Sequence, residues 1–413
     1  MRKNHIKTDV LIIGGGLSGL TLAGVLGETG VTVTIIDRDP PITQIAEQYD
    51  ARTTALSFGS SRVLSAAGTW AEIERQAEPM LDIRVADGAS PLFLHFSSDD
   101  NRNGAPFGWN LENRTLRTAL FKNVTRLKKH VRHLAPVEIE KFFREEERVG
   151  VLLKNGTKIS APLMVGADGR NSAVRSWLGI DVKRIDYKQT AIVCNIEHTL
   201  PHENVAVEHF LPAGPFAALP LTRGTNGKSR SSIVWSVHGT DAGRILALPP
   251  SVFNAELQRL CGTHLGKVQL ISQPRGYPLH LMHAARYTGP RVALMAEAAH
   301  AIHPIAGQGL NLGMRDVALL SELIIDRLRL GLDIGSPTPL KDYENIRHAD
   351  AQLMASFTDI LNHLFSNNLK SVALLRDVGL GIVQKMPVLK GFFAQQAMGL
   401  GGSPSRIIHE DSL

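Results

Sequence analysis

The stretch Asp9-Val-Leu-Ile-Ile13-Gly14-Gly15-Gly16-Leu-Ser-Gly19, continued by Gly30-Val-Thr-Val-Thr-Ile-Ile36-Asp37, decides the fold. Val10 to Ile13 is a continuous apolar run, the pattern of a strand buried on both faces of a parallel sheet. Leu17 to Thr29 reads as a helix, and Gly30 suits its C-terminal cap. Val31 to Ile36 is a second, β-branched strand ending at Asp37. Strand, glycine turn, helix and strand within about 30 residues make a βαβ unit. In Gly14-x-Gly16-x-x-Gly19 the first glycine permits the tight turn, the second lets backbone approach a pyrophosphate, and the third lets helix and strand pack closely. The helix start adds free N–H groups and a partial positive charge for the phosphate. Asp37 is placed to accept hydrogen bonds from ribose hydroxyls. Gly14, Gly15, Gly16, Gly19 and Asp37, with the adjacent Arg38, are the candidate dinucleotide-binding residues. The motif alone does not choose between NAD and FAD. Gly379-x-Gly381 lacks both a preceding strand and a third glycine and reads as chance.

The same stretch contains a trap. Arg2, Lys3, His5 and Lys7 precede an uncharged run from Val10 to Gly27, which resembles a signal peptide or a membrane span. Glycines at 14, 15, 16, 19, 24 and 27 interrupt that run, and no small-x-small cleavage site follows. No other stretch approaches the apolar length of a span. Hydrophobic residues make up 43% of the 413 and charged residues 20%, which excludes wholesale disorder. The two cysteines, Cys194 and Cys261, exclude a disulfide framework and a multi-cysteine metal site. These features predict a cytoplasmic protein without a span, peripheral on a membrane at most. The net charge of +6 suits anionic partners such as cofactor phosphates or an acidic membrane face. It is too diffuse for nucleic acid.

Further along, the pattern predicts a helix over 60–77, loop-rich polar sequence over 97–108 and a helix over 112–127. Arg126 to His133 and Arg144 to Arg148 read as solvated surface. Val149 to Leu153 and Thr157 to Ile159 form a hairpin around Asn155-Gly156. The strand Leu163–Gly166 leads into Ala167-Asp168-Gly169-Arg170. From Lys183 to Gln273 strand-like segments dominate, as in 190–198, 206–210 and 231–237. A buried strand returns at Arg291–Met295, and a long helix over 309–330 follows with apolar residues at helical spacing. The expectation is an α/β protein. A discontinuous Rossmann-like nucleotide domain (1–182 and 274–360) carries an inserted sheet-rich domain (183–273, with 73–100 contributing). A helical segment, 361–413, closes the chain.

Two more landmarks narrow the cofactor. Ala296-Glu297-Ala298-Ala299-His300 ends a strand, and His303-Pro304-Ile-Ala-Gly307-Gln-Gly309-Leu310-Asn311 is a glycine-rich loop feeding a long helix. That loop aims N–H groups and a helix dipole at one point. A reduced flavin is negative near N1 and the C2 carbonyl, so such a loop would stabilise it. The landmarks, in this order, resemble the class A flavoprotein aromatic hydroxylases of the para-hydroxybenzoate hydroxylase fold. Asp50-Ala-Arg52-Thr-Thr-Ala-Leu-Ser57, Glu112-Asn-Arg114-x-Leu116-Arg117, Phe210-Leu-Pro-x-Gly214-Pro-Phe-Ala-x-Leu-Pro220-Leu221, His303 through Asp316 and Tyr343-x-x-x-Arg347 are similar to the ubiquinone-biosynthesis branch, the UbiH/UbiF/VisC group. The resemblance spans roughly residues 8 to 400.

The resemblance implies that Gly14, Gly16, Gly19 and Asp37 hold the ADP half of FAD. It gives Asp168 and Gly169 a part in both FAD pyrophosphate and NAD(P)H binding. Glu297, where many members have Gly-Asp, would reach a ribityl hydroxyl. Pro304 and Gly307 to Asn311, including Gly309 and Leu310, would face the isoalloxazine, with Arg52 and Arg114 near it. The implied activity is FAD-dependent hydroxylation of a polyprenylated phenol by molecular oxygen through a flavin C4a-hydroperoxide. NAD(P)H would be a transient electron donor, and peripheral membrane contact and a complex with other quinone-biosynthesis proteins are the implied associations. Two alternatives stay open: a hydroxylase of a soluble aromatic metabolite, and a non-catalytic FAD-binding subunit. No catalytic base is assigned; Tyr187, His209, His238, Tyr277 and His280 are all candidates. His300 and His303 read as packing or helix-start residues, Cys194 as a small buried hydrophobe. The spacing His280-x-x-His283 has no acidic partner or third ligand, so no metal is expected. Leu361 to Met398, with Lys370, Arg376, Lys385 and Lys390, offers two readings: a membrane-facing surface, or packing on the body.

Overall fold

The computed structural model describes residues 5–46, 49–50, 52–88, 93–101, 104–303, 307–365, 387–402 and 404–409. Three apolar runs, Val10–Ile13, Val33–Ile36 and Leu163–Gly166, are buried throughout and lie side by side in parallel. They are the centre of a six-stranded sheet ordered Thr288–Gly289, Val292–Leu294, Leu163–Gly166, Val10–Ile13, Val33–Ile36, Val131–Leu134. All its pairings are parallel except the first. Burial on both faces explains why these strands carry no polar alternation. The helices Leu17–Glu28 and Gln308–Arg329 pack against each other above it. Gly313 permits their closeness, since a Cβ there would stand 2.9 Å from Ser18 Oγ. A four-stranded sheet contains the Asn155-Gly156 hairpin, with Val149–Leu153 antiparallel to Lys158–Ala161.

A nine-stranded sheet forms the second body. Its long strand Val182–His198 pairs with Ser229–His238 on one edge and with Arg275–Ala284 on the other. Gly214–Leu221, Val205–Leu211, Asp82–Asp87 and Phe93–Ser97 continue it. The sheet therefore takes in Arg275–Ala284, past residue 273, because that strand supplies the backbone partners of the long strand's free edge. The helices Gly239–Leu246 and Pro250–Cys261, which the sequence pattern did not reveal, cover its outer face around Ile192, Cys194, Ile196, Phe253 and Leu257. Cys194 is buried there.

The expected helix over 60–77 is split into Phe58–Ala66 and Trp70–Ile73, because Gly68 takes a left-handed φ of 68° between them. Near the C-terminus the helices Pro337–Phe365, Pro387–Ala397 and Arg406–His409 are described. Lys370, Arg376 and Lys385 lie outside the described residues, as does Pro304. Among the described residues no helix is long and apolar enough to cross a membrane.

Candidate active site

The glycine turn closes by two backbone contacts that leave no room for side chains. Gly14 has φ 109°, and a Cβ there would stand 2.4 Å from the carbonyl oxygen of Ala167. A Cβ on Gly19 would stand 2.1 Å from the Gly14 carbonyl oxygen. Gly16, the N-cap of the helix Leu17–Glu28, is the opposite case: nothing lies within 4 Å of its Cβ direction. Open space at the helix N-terminus, framed by closed glycines, is the cradle that a pyrophosphate needs. At the end of the next strand Asp37 Oδ2 accepts from Gly15 N at 2.6 Å and Oδ1 accepts from Asp39 N at 2.8 Å. Those bonds aim the carboxylate across the mouth of the turn. Arg38 points away: its side chain is 86% exposed and its nearest carboxylate is Asp39 at 3.8 Å.

Asp168 begins the loop after the neighbouring strand. Its carboxylate accepts from Ala173 N, Val174 N and Ser172 Oγ, so it caps the short helix Ala173–Trp177. Gly169, with φ 77°, leaves open space beside it. Glu297 is paired with Arg170 at 3.1 Å. Ala296 before it has φ 51°, a left-handed conformation that glycine adopts more easily. The longer acid of the Ala-Glu pair thus stands on a strained backbone position, and its carboxylate already has a guanidinium partner.

Gly307, with φ 65°, is the N-cap of the helix Gln308–Arg329 and abuts the Ala55 side chain. Gly309 again faces open space, and Leu310 packs partly against the core. Asn311 differs from the expectation that it faces the flavin ring. Its Oδ1 accepts from Ser57 N and Ser60 Oγ, and its Nδ2 donates to the Ala55 carbonyl. Its buried side chain locks the helix start to the strand Thr53–Ser57. Arg52, one residue before that strand, makes a bidentate pair with Asp50 at 2.8 and 2.9 Å and lies 5.2 Å over the Tyr277 ring. Burial would raise the Asp50 carboxyl, but the hydrogen bonds and charge of Arg52 outweigh it and hold it below its ordinary range. Arg114 is exposed and has no ion pair among the described residues. Arg117, three residues on, is buried beside Asp50 because the helix Asn113–Arg126 turns that face inward. The sequence reading placed Arg114 near the flavin and gave Arg117 no site role; helix phase decides which of the two turns inward.

Beneath the loop lies a charge network. His300 Nε2 meets Asp316 Oδ2 at 2.7 Å, Ala296 N donates to the same oxygen, and Arg347 Nε donates to Asp316 Oδ1 at 2.6 Å. Arg347 and Arg315 both bind Asp350. Burial would raise Asp316, but the neighbouring His300 and Arg347 overcome it and bring its pKa down to about 2. His300 therefore orients a carboxylate rather than merely packing. Asp316 within an otherwise apolar helix face was the signal in the sequence for this network.

His303 is fully buried, its Nε2 against Gln189 Oε1 at 3.2 Å and its ring edge-on to Tyr187, and burial lowers its pKa to about 4. The other candidate bases scatter. His209 Nε2 meets the Gly88 carbonyl, His238 is exposed, and Tyr277 sits under Arg52. His280 stands near Arg170 and Arg184, while His283 pairs with His348 at 3.0 Å. The two histidines of that spacing thus turn to different partners.

A parallel sheet with a phosphate turn, a glycine loop at a helix N-terminus and a second sheet over them define a FAD-dependent monooxygenase of the para-hydroxybenzoate hydroxylase type. The FAD binding domain family matches residues 7–358. Ubiquinone hydroxylase UbiL of Rhodospirillum rubrum is 45% identical over 403 residues, 97% of this chain and 92% of that protein. The 3-demethoxyubiquinol 3-hydroxylase of Escherichia coli is 31% identical over 95% of this chain and 99% of its own length. The crystal structure of PqsL, a probable FAD-dependent monooxygenase from Pseudomonas aeruginosa, superposes with TM-score 0.75 at 24% identity, over 91% of this chain and all of that one. The chain belongs to the FAD-binding family, in its branch of ubiquinone-biosynthesis hydroxylases.

Proposed function

We propose that this flavoprotein hydroxylates the aromatic ring of a polyprenylated phenol in ubiquinone biosynthesis. The observation that carries the reading is the pair of open glycine positions, Gly16 and Gly309, each at the start of a helix whose neighbouring glycines are closed. They suit the two ends of FAD, the pyrophosphate and the flavin ring. Gly14, Gly15, Gly16, Gly19 and Asp37 would hold the ADP half, and the Asp168–Gly169 loop and the helix start at Gly307–Gly309 would face the rest. Bound there, the flavin supplies oxygen activation, which no side chain can provide. The chain's own part is positional. Asn311 keeps the Gly307–Gly309 N–H groups pointed at one place, and the His300–Asp316–Arg347 network holds Ala296 and Glu297 beneath it. The nine-stranded sheet would cover the ring and exclude water, which would limit wasteful release of reduced oxygen. NAD(P)H is the electron donor in this reading. A tailed substrate calls for peripheral membrane contact or hand-over within a complex of quinone-biosynthesis proteins.

The test is deletion of the gene followed by mass spectrometry of the quinone pathway. A prenylated phenol lacking one ring hydroxyl should accumulate and disappear on complementation. Unchanged quinone content with no such intermediate would end the ubiquinone reading.

A further inference from the structure

Glu208 is enclosed by protein yet has no structural work to do among the described residues. The strand Val205–Leu211 alternates its faces. Val207 and Leu211 pack outward on the core beneath the two covering helices. Ala206 and Phe210 point inward, Ala206 against Ala55 and Met80, and Phe210 against Phe96, Phe107 and Met398. Glu208 lies between them on that inward face. Its ladder partners are Ala217 and Val85, both apolar. Protein surrounds it, yet the side chain keeps some exposure. Among the described residues it makes no hydrogen bond or ion pair and no charged group bears on it. A carboxylate is costly in such surroundings unless a bound molecule supplies its partner. The apolar wall leads from it through Ala206 to Ala55, the residue that Gly307 of the flavin loop abuts.

We infer that Glu208 binds the substrate's ring hydroxyl and takes its proton as the ring is attacked. This rests on the phenol hydroxylase reading above. The phenol O–H donates to the Glu208 carboxylate. As the ring carbon bonds to the incoming oxygen atom, the bond between that atom and its donor breaks and its electron pair leaves with the donor; the phenol O–H bond breaks, its pair forms the ring C=O, and the proton forms a new O–H bond on Glu208. The hydroxylated carbon then loses its hydrogen as a proton, the C=O oxygen takes up a proton, and the ring is aromatic again. After product leaves, that proton passes to water. Burial pushes the Glu208 carboxyl up to about 7, closer to a phenol's range than an ordinary glutamate. A neighbour that fixes the hydroxyl also fixes which ring carbon faces the flavin, so Glu208 is a specificity residue as well.

The experiment compares 2-geranylphenol with its methyl ether, 2-geranylanisole, on FAD-loaded wild type, Glu208→Gln and Glu208→Leu. Flavin absorbance and melting temperature verify that each variant is folded and loaded. Wild type should bind the phenol about tenfold or more tightly than the ether, since only the phenol can donate to the carboxylate. Glu208→Gln should keep much of that preference yet turn over the phenol roughly a hundredfold more slowly, having an acceptor but no base. Glu208→Leu should lose both. Wild-type preference for the phenol in Glu208→Leu would overturn the assignment while leaving the hydroxylase reading intact. Wild-type turnover in Glu208→Gln would overturn the proton transfer. A wild type that neither binds nor hydroxylates the phenol would sink the hydroxylase reading itself, and the assignment with it.

Discussion

Gly14 and Gly16 stand two residues apart and should answer an added side chain in opposite ways. Gly14→Ala drives a Cβ into the Ala167 carbonyl from a left-handed backbone, so the apo fold should lose a few kcal/mol, as overpacking and backbone strain together predict. Gly16→Val fills only the open cradle, so the apo melting temperature should stay near wild type while FAD affinity falls at least about tenfold. Thermal melts and flavin titration separate the two; equal destabilisation by both would remove the cradle. Glu208 carries a pH prediction of its own. Its carboxyl is raised in the fold from 4.5 to about 7, so the folded state favours the neutral acid. Wild type therefore loses stability as pH climbs from about 4.5 to about 7, and Glu208→Gln does not. The variant should match wild type near pH 4 and exceed it by on the order of 3 kcal/mol above pH 7. Urea unfolding at the two pH values checks this, and a pH-independent difference would contradict it. Glycine roles were legible because a turn against backbone admits few solutions. Glu208 was legible too, as the one charge between Ala206 and Phe210 on a period-two face, although nothing in the local pattern marks a carboxylate there as an acid–base group.

The elements that meet under the glycine loop are joined by charge as well as by apolar contact. Asp316 on the helix Gln308–Arg329 receives His300 from the strand His300–Ala301, the Ala296 N–H from the preceding loop and Arg347 from the helix Pro337–Phe365. Asp316→Asn keeps the shape but leaves Arg347 buried beside an amide, so it should cost about 3–5 kcal/mol, the usual penalty for breaking a buried pair from one side. Because Asp316 also holds Ala296 N, bound flavin should become less ordered, read as a rise in flavin fluorescence. Full stability in Asp316→Asn would show the network to be dispensable. Wild type has a matching acid limb: the Asp316 carboxyl lies below its 3.8 reference, at about 2, so its contribution is complete above about pH 4 and fades as pH falls toward 2. The buried parallel strands and their two helices followed from apolar runs and helical spacing. The helices Gly239–Leu246 and Pro250–Cys261 did not, since sheet-like neighbours on both sides masked short amphipathic stretches. Membership of Arg275–Ala284 in the second sheet is a long-range pairing, and no local pattern encodes which strand an edge will choose.

At the scale of the molecule, the two largest apolar cores share no residue. One runs from Val10 to Ile408 and surrounds the dinucleotide sheet; the other gathers Ile192, Phe216, Trp235, Phe253 and Leu257 on the far face of the second sheet. The sequence predicted an insertion between pieces of a nucleotide domain, but not how firmly the two would be stitched. Val182–His198 and Arg275–Ala284 run in and out of the second sheet side by side, so two paired strands join the cores. FAD held at Gly14–Gly19 and Gly307–Gly309 as proposed would touch the elements of the first core, while the second core lies behind its own sheet. A ligand stabilises what it binds by RT ln(1 + [L]/Kd), about 2.7 kcal/mol at a hundredfold excess over Kd. Calorimetry of the apo protein with added FAD should therefore raise one transition by roughly 5–10 °C and leave a second within about 1 °C of its apo position. Glu208→Gln, whose site lies on the inward face of the second sheet, should move the second transition and not the first at high pH. A single endotherm that shifts as one would mean that the paired strands transmit stability across the whole chain, and that flavin loading, substrate wall and outer helices fold as one cooperative unit.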